Sequence, residues 1–125
     1  MIEANTQGYL VHICQRADWE TALVAGEYRA SSLAQEGFIH CSLPHQVLEV
    51  ANHFYREVPD LVLLWIAPQQ VGPEIIFEHP PGESEELYPH IYGPLNLDAI
   101  VSVDPFPIQE DGFYQTLPTP SGNIS

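Results

Sequence analysis

Lysine is absent from this 125-residue chain, and its only arginines are Arg16, Arg29 and Arg56. Seventeen Asp and Glu residues leave a formal net charge of -14. Without lysine there is no lysine Schiff base, no anchor for pyridoxal phosphate and no P-loop lysine. Nucleic-acid affinity comes largely from Lys and Arg that neutralise phosphates, so we expect no nucleic-acid partner. These absences favour an acidic single-domain protein with a site for a small molecule.

Cysteine and long apolar segments are scarce as well. Cys14 and Cys41 are the only cysteines, which is too few for a disulfide framework. Reduced thiols are the simpler expectation, and a Cys14–Cys41 pair is the alternative. The longest apolar run covers residues 61–67 and is too short to span a bilayer, so we expect no membrane partner. The N-terminal MIEANTQGYLVHIC has neither a basic segment nor a long apolar one, which predicts no signal peptide and a cytoplasmic protein.

Hydrophobic periodicity predicts an α+β fold. The run over residues 61–67 is apolar on both faces, as in a central strand buried on both sides. Residues 47, 50, 51 and 54 are apolar at helical spacing, which predicts an amphipathic helix beginning near Pro44. The other predicted elements are strands over 8–14, 38–41, 74–78 and 99–103, a helix over 18–25 that ends at Gly26, and a short turn capped by Ser31 or Ser32 with Gln35 in a capping box. This order indicates a mostly antiparallel sheet with two or three short helices.

The same pattern predicts one domain with two extensions. We expect an N-terminal extension over residues 1–8, a single α+β domain over 9–103 and a Pro-rich tail over 104–125. The tail lacks a periodic apolar pattern, which is typical of an irregular or frayed segment. Residues 79–90 are rich in Pro, Gly and Glu and are predicted to form a loop.

Six histidines is a high count for this length. His12 and His40 fall inside predicted strands, where a polar ring is unfavourable unless it is hydrogen-bonded. A satisfied core histidine is the structural interpretation of each. The functional interpretation is that His12, His40 and Ser42 line one cleft if the two early strands are neighbours. His90 and Tyr92 form a further polar cluster after the acidic loop. The remaining histidines are interpreted as surface residues: His45, His53 and His79.

Metal binding and cysteine catalysis agree less well with the spacing. His12, Cys14, His40 and Cys41 supply two nitrogen and two sulfur donors, the number that tetrahedral zinc takes. Strand alternation puts His40 and Cys41 on opposite faces, so we predict no metal site. A cysteine–histidine nucleophile meets the same objection at Cys41, while Cys14 stays on the His12 face.

Three ordered segments resemble a known bacterial family. They are VHICQRADWETAL (11–23), GFIHCS (37–42) and PHIYGPLNLDAI (89–100). Together they are similar to the domain-of-unknown-function family numbered 952, over about Tyr9 to Val103. The resemblance implies a fold like that of ADP-ribosyltransferase-like proteins, with a split, mostly antiparallel β core. In active relatives a cleft in that core holds NAD, although the family itself has no assigned reaction.

The resemblance also implies where a site would lie. Active relatives carry a His or Arg on the first core strand, a Tyr, Ser or His on the second and often a Glu later. His12 corresponds to the first position and the His40–Ser42 pair to the second. Glu78 is the candidate for the third because it ends a strand-like run, whereas the segment that usually carries the glutamate reads HIYGPLNLDA and contains none.

The chemistry of N-glycosidic cleavage gives these residues roles. Breaking a nicotinamide–ribose bond builds oxocarbenium-like charge on the ribose, which needs a nearby anion, an aromatic platform and hydrogen bonds to hydroxyls. We expect catalysis by His12, His40 and Glu78. The expected ligand-binding residues are Arg16, Phe38, Ser42, His90 and Tyr92.

Two classes of function are consistent with these residues. The first is an enzyme that uses NAD or another nucleotide as its substrate, by ADP-ribosyl transfer or N-glycosidic cleavage. The second is a non-catalytic module that binds a small ligand or a peptide in the same cleft, and a purely structural role is a further alternative.

Overall fold

The computed structural model describes residues 8–79 and 85–122. The α-helices of this part of the chain are α1 (Arg16–Ala25), α2 (Ser31–Glu36) and α3 (Val47–Phe54). Its strands are β1 (Leu10–Gln15), β2 (Glu27–Tyr28), β3 (Ile39–His40), β4 (Leu61–Ile66), β5 (Ile75–Glu78), β6 (Tyr88–Ile91), β7 (Leu95–Asn96) and β8 (Ile100–Pro105). All the pairs among these strands are antiparallel, so the predicted single α+β domain with short helices is confirmed. None of the helices within the described ranges has the length and apolar character needed to cross a membrane.

A three-stranded sheet in the order β1-β4-β8 forms the centre of the molecule. All six residues of β4 are buried, which confirms the predicted central strand. Because side chains alternate along a strand, its even-numbered residues pack into a cluster with Ile39 and Ile91. Its odd-numbered residues pack on the other face, in a cluster with Val47 and Ala51 of α3. The first of these clusters supports the sheet that carries the candidate site.

That second sheet has the strand order β3-β6-β5. Its register puts His90 of β6 opposite His40 on one side and opposite Ile76 on the other. A backbone bridge joins it to the central sheet, since Val11 N–H donates to the Ser42 carbonyl and Ser42 N–H donates to the Val11 carbonyl, both at 2.8 Å. The two early strands are therefore neighbours, as the predicted cleft required.

Short strands account for most differences from the predicted elements. β3 has two residues where four were expected, and β6 begins inside the predicted loop over 79–90 and ends one residue beyond it. Residues 80–84 of that loop fall outside the described ranges. β2 and β7, with two residues each, were not predicted because two residues cannot show an alternating pattern.

The predicted capping box before α2 is also wrong. Ala30 is the residue before the helix, and the helix has no side-chain cap. Ser32 lies inside the helix, and its hydroxyl donates to the Phe38 carbonyl at 2.8 Å. This bond ties the helix to the segment that enters β3.

The C-terminal tail has no helix or strand over residues 106–122, but it is not frayed. Phe106 and Tyr114 are buried in the cluster that contains α3, with ring centroids 4.5 Å apart. The Asn52 side chain makes two hydrogen bonds to the Tyr114 backbone, at 2.8 and 2.7 Å. Of the two expected forms the tail takes the irregular one over these residues, because side chains separated by prolines can complete a core without forming a regular element.

Candidate functional site

Five residues singled out in the sequence meet on the face of the second sheet that points away from the central sheet: Phe38, His40, Glu78, His90 and Tyr92. We call them the ring cluster. The Phe38 ring stacks on His90, with centroids 4.1 Å apart and 14° between the planes. His40 lies edge-on to His90 at 5.1 Å, and Tyr92 lies 5.2 Å from Phe38. Strand alternation explains the grouping, because Phe38 and Tyr92 stand two residues from the opposed pair of histidines.

Glu78 enters the ring cluster as a fixed carboxylate. Its Oε1 accepts a hydrogen bond from the Tyr92 hydroxyl and lies 2.7 Å from His90 Nδ1. The hydrogen bonds from Tyr92 and His90 hold the pKa of the Glu78 carboxyl below its ordinary value, so it is ionised at neutral pH. The side chain is 34% exposed, which leaves the carboxylate accessible to a bound molecule.

His90 has two nitrogens in different situations. Because an ionised carboxylate only accepts hydrogen bonds, Nδ1 carries a proton and donates it to Glu78. Nε2 is buried and has no hydrogen-bond partner within residues 8–79 and 85–122. A buried acceptor without a donor costs about 1 to 3 kcal/mol. Nε2 is therefore an unused hydrogen-bond acceptor that a bound molecule could satisfy once the nitrogen is uncovered.

His40 is a partly exposed member of the ring cluster. Its Nε2 lies 2.7 Å from Oε2 of Glu36, the last residue of α2, and the two side chains are 41% and 38% exposed. Glu36 was not among the predicted site residues. The spacing of four residues between Glu36 and His40 was the available signal, since residues at this spacing are neighbours on a helix. The signal was not recognised because Gly37 ends α2 between them. This pair adds a second carboxylate at the edge of the ring cluster.

His12 lies on the opposite side of β3 from the rings. Its Nδ1–H donates to the His40 carbonyl at 2.5 Å, and its Nε2 accepts from the Tyr28 hydroxyl at 2.7 Å. Burial lowers the pKa of His12 from 6.5 to about 4, so the imidazole stays neutral. The structural interpretation, a satisfied core histidine, describes His12. Its ring does not line one surface with His40, contrary to the expectation, because both nitrogens are bonded inside the protein. Tyr28 had no sequence signal, since its strand is too short.

The two thiols are buried and unpaired with each other. Burial raises the pKa of Cys14 to about 12 and also raises that of Cys41. Both therefore stay protonated at neutral pH, whereas a cysteine nucleophile requires the thiolate. The alternative of cysteine–histidine catalysis finds no support in this geometry.

Two predicted ligand-binding residues make other contacts. The Nε of Arg16, the first residue of α1, lies 3.1 Å from Oδ1 of Asp60 in an exposed ion pair. Ser42 is 5% exposed, and its backbone is held in the bridge with Val11. The role of these two residues in ligand binding stays a prediction.

The chemistry of the ring cluster favours an electron-poor or cationic ring. Aromatic faces and carboxylates both attract positive charge, and the cluster combines Phe38 and Tyr92 with Glu78. Within the described ranges, no group of three or more His, Cys, Asp or Glu side chains is arranged to hold a metal ion.

Comparisons with known proteins place the chain in a family. Residues 13–103 match the family described as "Protein of unknown function (DUF952)". The crystal structure of protein CC0527 from Caulobacter crescentus is similar to this chain, with a TM-score of 0.76 and 28% identity over 86% of this chain and 93% of that one. The solution NMR structure of CC0527 gives a TM-score of 0.75 and 27% identity over 87% and 93%. No curated protein matches the chain. Because the family match covers well over half of its residues, the chain belongs to the DUF952 family.

Proposed function

We propose that the protein is an ADP-ribosyltransferase-like enzyme that cleaves the N-glycosidic bond of NAD or a similar nucleotide in the ring cluster. The observation that carries the proposal is the Glu78 carboxylate, fixed by His90 and Tyr92 beside stacked rings. Departure of the base leaves positive charge on the ribose. A carboxylate already oriented toward that charge stabilises the transition state more than the ground state.

The aromatic side chains supply the platform that such a substrate needs. Phe38 is half-buried and Tyr92 is 37% exposed, so a ring of the substrate can reach both. The nicotinamide ring of NAD is a cation, and aromatic faces attract cations. His40 and Glu36 are partly exposed at the edge, which supports a role in hydrogen bonding to ribose hydroxyls.

The phosphates of a nucleotide would find little positive charge. Each arginine is hydrogen-bonded to a neighbour outside the ring cluster: Arg16 to Asp60, Arg29 to Glu27 and Arg56 to the carbonyl of Gly112. With a net charge of -14, long-range attraction for phosphate is also absent. We therefore assign the binding free energy to the base and ribose, and expect nicotinamide riboside to bind about as well as NAD.

A non-catalytic binding module is the second candidate. The observation that favours it is His12, whose two nitrogens are bonded within the protein. The first position of the ADP-ribosyltransferase-like pattern then has no group free for the substrate. In that case the ring cluster binds its ligand without turning it over.

The two candidates are separated by one set of experiments. Titration with NAD, nicotinamide riboside and ADP-ribose is expected to shift the amide signals of His40, His90 and Tyr92. Absence of any shift there would reject both candidates. Chromatography of the NAD mixture then measures released nicotinamide, and binding without release would favour the module.

Substitution of the carboxylate tests the catalytic mechanism. Glu78→Gln removes the negative charge with little change of shape. We expect it to lower the rate of nicotinamide release by about 100-fold to 1,000-fold, as for other oriented groups that stabilise transition-state charge. Glu49→Gln, on the exposed side of α3, is the matched control and should leave the rate unchanged. An equal rate in Glu78→Gln would contradict the role of Glu78.

A further inference from the structure

The pairing of Glu78 with His90 fixes which nitrogen of the imidazole is free. Glu78 Oε1 already accepts the Tyr92 hydroxyl and lies 2.7 Å from His90 Nδ1, and its pKa is lowered by these bonds. An ionised carboxylate in this position selects the tautomer with the proton on Nδ1. The lone pair of a neutral His90 is therefore on Nε2.

The free nitrogen sits in a buried part of the ring cluster. The His90 side chain is 2% exposed, and Nε2 has no hydrogen-bond partner within the described ranges. The Phe38 ring covers one face of the imidazole at 4.1 Å, and His40 lies edge-on at 5.1 Å. His12 shows the contrast, because its Nε2 is satisfied by Tyr28. An imidazole oriented by a carboxylate, with its second nitrogen unpaired, is the arrangement of a general base.

We infer that His90 is the general base of the N-glycosidic reaction, with Glu78 as the group that orients it. The inference rests on the proposed function. In the step, the C1′–N bond of the substrate breaks, and its electron pair leaves with the nicotinamide, which departs as a neutral molecule. The oxygen of a water or of an acceptor hydroxyl forms a new bond to C1′. Its proton moves to Nε2 of His90, and the resulting imidazolium is stabilised by the Glu78 carboxylate before the proton passes to solvent.

The burial of Nε2 sets a condition on this step. The Phe38 ring covers one face of the imidazole, whereas the lone pair of Nε2 lies in the plane of the ring. The attacking oxygen therefore reaches Nε2 only when the side chains around the imidazole move aside.

Two substitutions of His90 separate its nitrogens. His90→Asn keeps an N–H near the position of Nδ1 and removes Nε2, so the bond to Glu78 remains while the base is lost. His90→Gln places an amide near the position of Nε2 and removes the Nδ1 donor. With etheno-NAD as the probe, we expect His90→Asn to lower kcat by about 100-fold, the lower end for general-base catalysis, with KM changed less than about threefold. His90→Gln should lose at least as much, and His53→Asn, at an exposed position on α3, should match the wild type.

The outcomes distinguish the inference from the proposed function. If the wild type cleaves etheno-NAD and His90→Asn retains its kcat, the inference is wrong and the proposed function stands. If the wild type does not cleave the probe, both are wrong. Nitrogen-15 NMR of the imidazoles in the wild type is a second measurement that does not depend on a variant folding. It should find His90 with the proton on Nδ1, and a proton on Nε2 with a bare Nδ1 would overturn the inference.

Discussion

His12 and His90 are both buried histidines on strands, and each has Nδ1 fixed by an oxygen acceptor. They differ at the second nitrogen. Nε2 of His12 accepts from Tyr28, whereas Nε2 of His90 has no partner in the part of the chain that the structure describes. Burial therefore does not separate a structural histidine from a functional one. We propose that the hydrogen bond at the second nitrogen separates them, and substitutions of His12, Tyr28 and Phe38 test that distinction.

Removal of the core histidine should have the largest effect. His12→Ala leaves the Tyr28 hydroxyl and the His40 carbonyl without partners and opens a cavity beside β3. We expect the free energy of unfolding to fall by about 4 kcal/mol, measured by urea denaturation. His53→Ala, at an exposed position, is the control and should change it by less than about 0.5 kcal/mol. A small loss in His12→Ala would show that His12 is not a structural residue.

The second largest effect should be on the pH dependence of the free energy of unfolding, to which His12 contributes. Its pKa is 6.5 unfolded and about 4 folded, because burial penalises the charged ring. The folded state then binds fewer protons, so the stabilisation is complete above pH 6.5 and is lost as the pH falls toward 4. The integrated loss is about 3 kcal/mol. His12→Asn should lack this pH dependence. The difference in free energy of unfolding between the wild type and His12→Asn should therefore fall by about 3 kcal/mol between pH 7 and pH 4. A gap that stays constant from pH 7 to pH 4 would contradict the low pKa.

Removal of the Tyr28 hydroxyl should make His12 resemble His90. Tyr28→Phe removes the donor to His12 Nε2 and leaves that nitrogen buried and unpaired. We expect a loss of about 2 kcal/mol in the free energy of unfolding. Tyr55→Phe, at a half-buried tyrosine outside this hydrogen bond, serves as the comparison and should lose less. Equal stability of Tyr28→Phe and the wild type would mean that an unpaired imidazole nitrogen hardly changes the free energy of unfolding in this fold. The unpaired Nε2 of His90 would then be no sign of a functional role.

Sequence patterns predicted the framework better than the site. The apolar run in β4 predicted the central strand, and the three family segments predicted the family. Both predictions succeeded because their signals are local in the sequence. The meeting of Glu78 with His90 depends on the register of β5 against β6 across a loop, which no local pattern encodes. The His12 ring and the His40 ring lie on opposite sides of β3, and this separation depends on how the two sheets pack against each other. Alternation within one strand cannot show which of its two faces meets another sheet.

The charged residues were the hardest to place from sequence. Arg16 was expected near the cleft because it follows the first strand closely, but Asp60, far along the chain, pairs with it. Glu36 joins His40 although a glycine that ends α2 lies between them. Exposed charged side chains have many partners of similar energy, so their pairing follows the tertiary arrangement rather than the sequence.

Removal of the Phe38 ring should change the chemical accessibility of His90 but not that of His12. Phe38→Ala removes the side chain that stacks on His90 and leaves the surroundings of His12 intact. Diethyl pyrocarbonate acylates unprotonated imidazole nitrogens, so His90 should be modified about tenfold faster in Phe38→Ala than in the wild type, which corresponds to a stacking contact of about 1.4 kcal/mol. His12 should stay unmodified in both proteins, as peptide mass spectrometry can measure. Phe54→Ala, which removes a ring that is 68% exposed, is the control and should not change the rate at His90. Unaltered protection of His90 in Phe38→Ala would show that another group, not Phe38, covers Nε2.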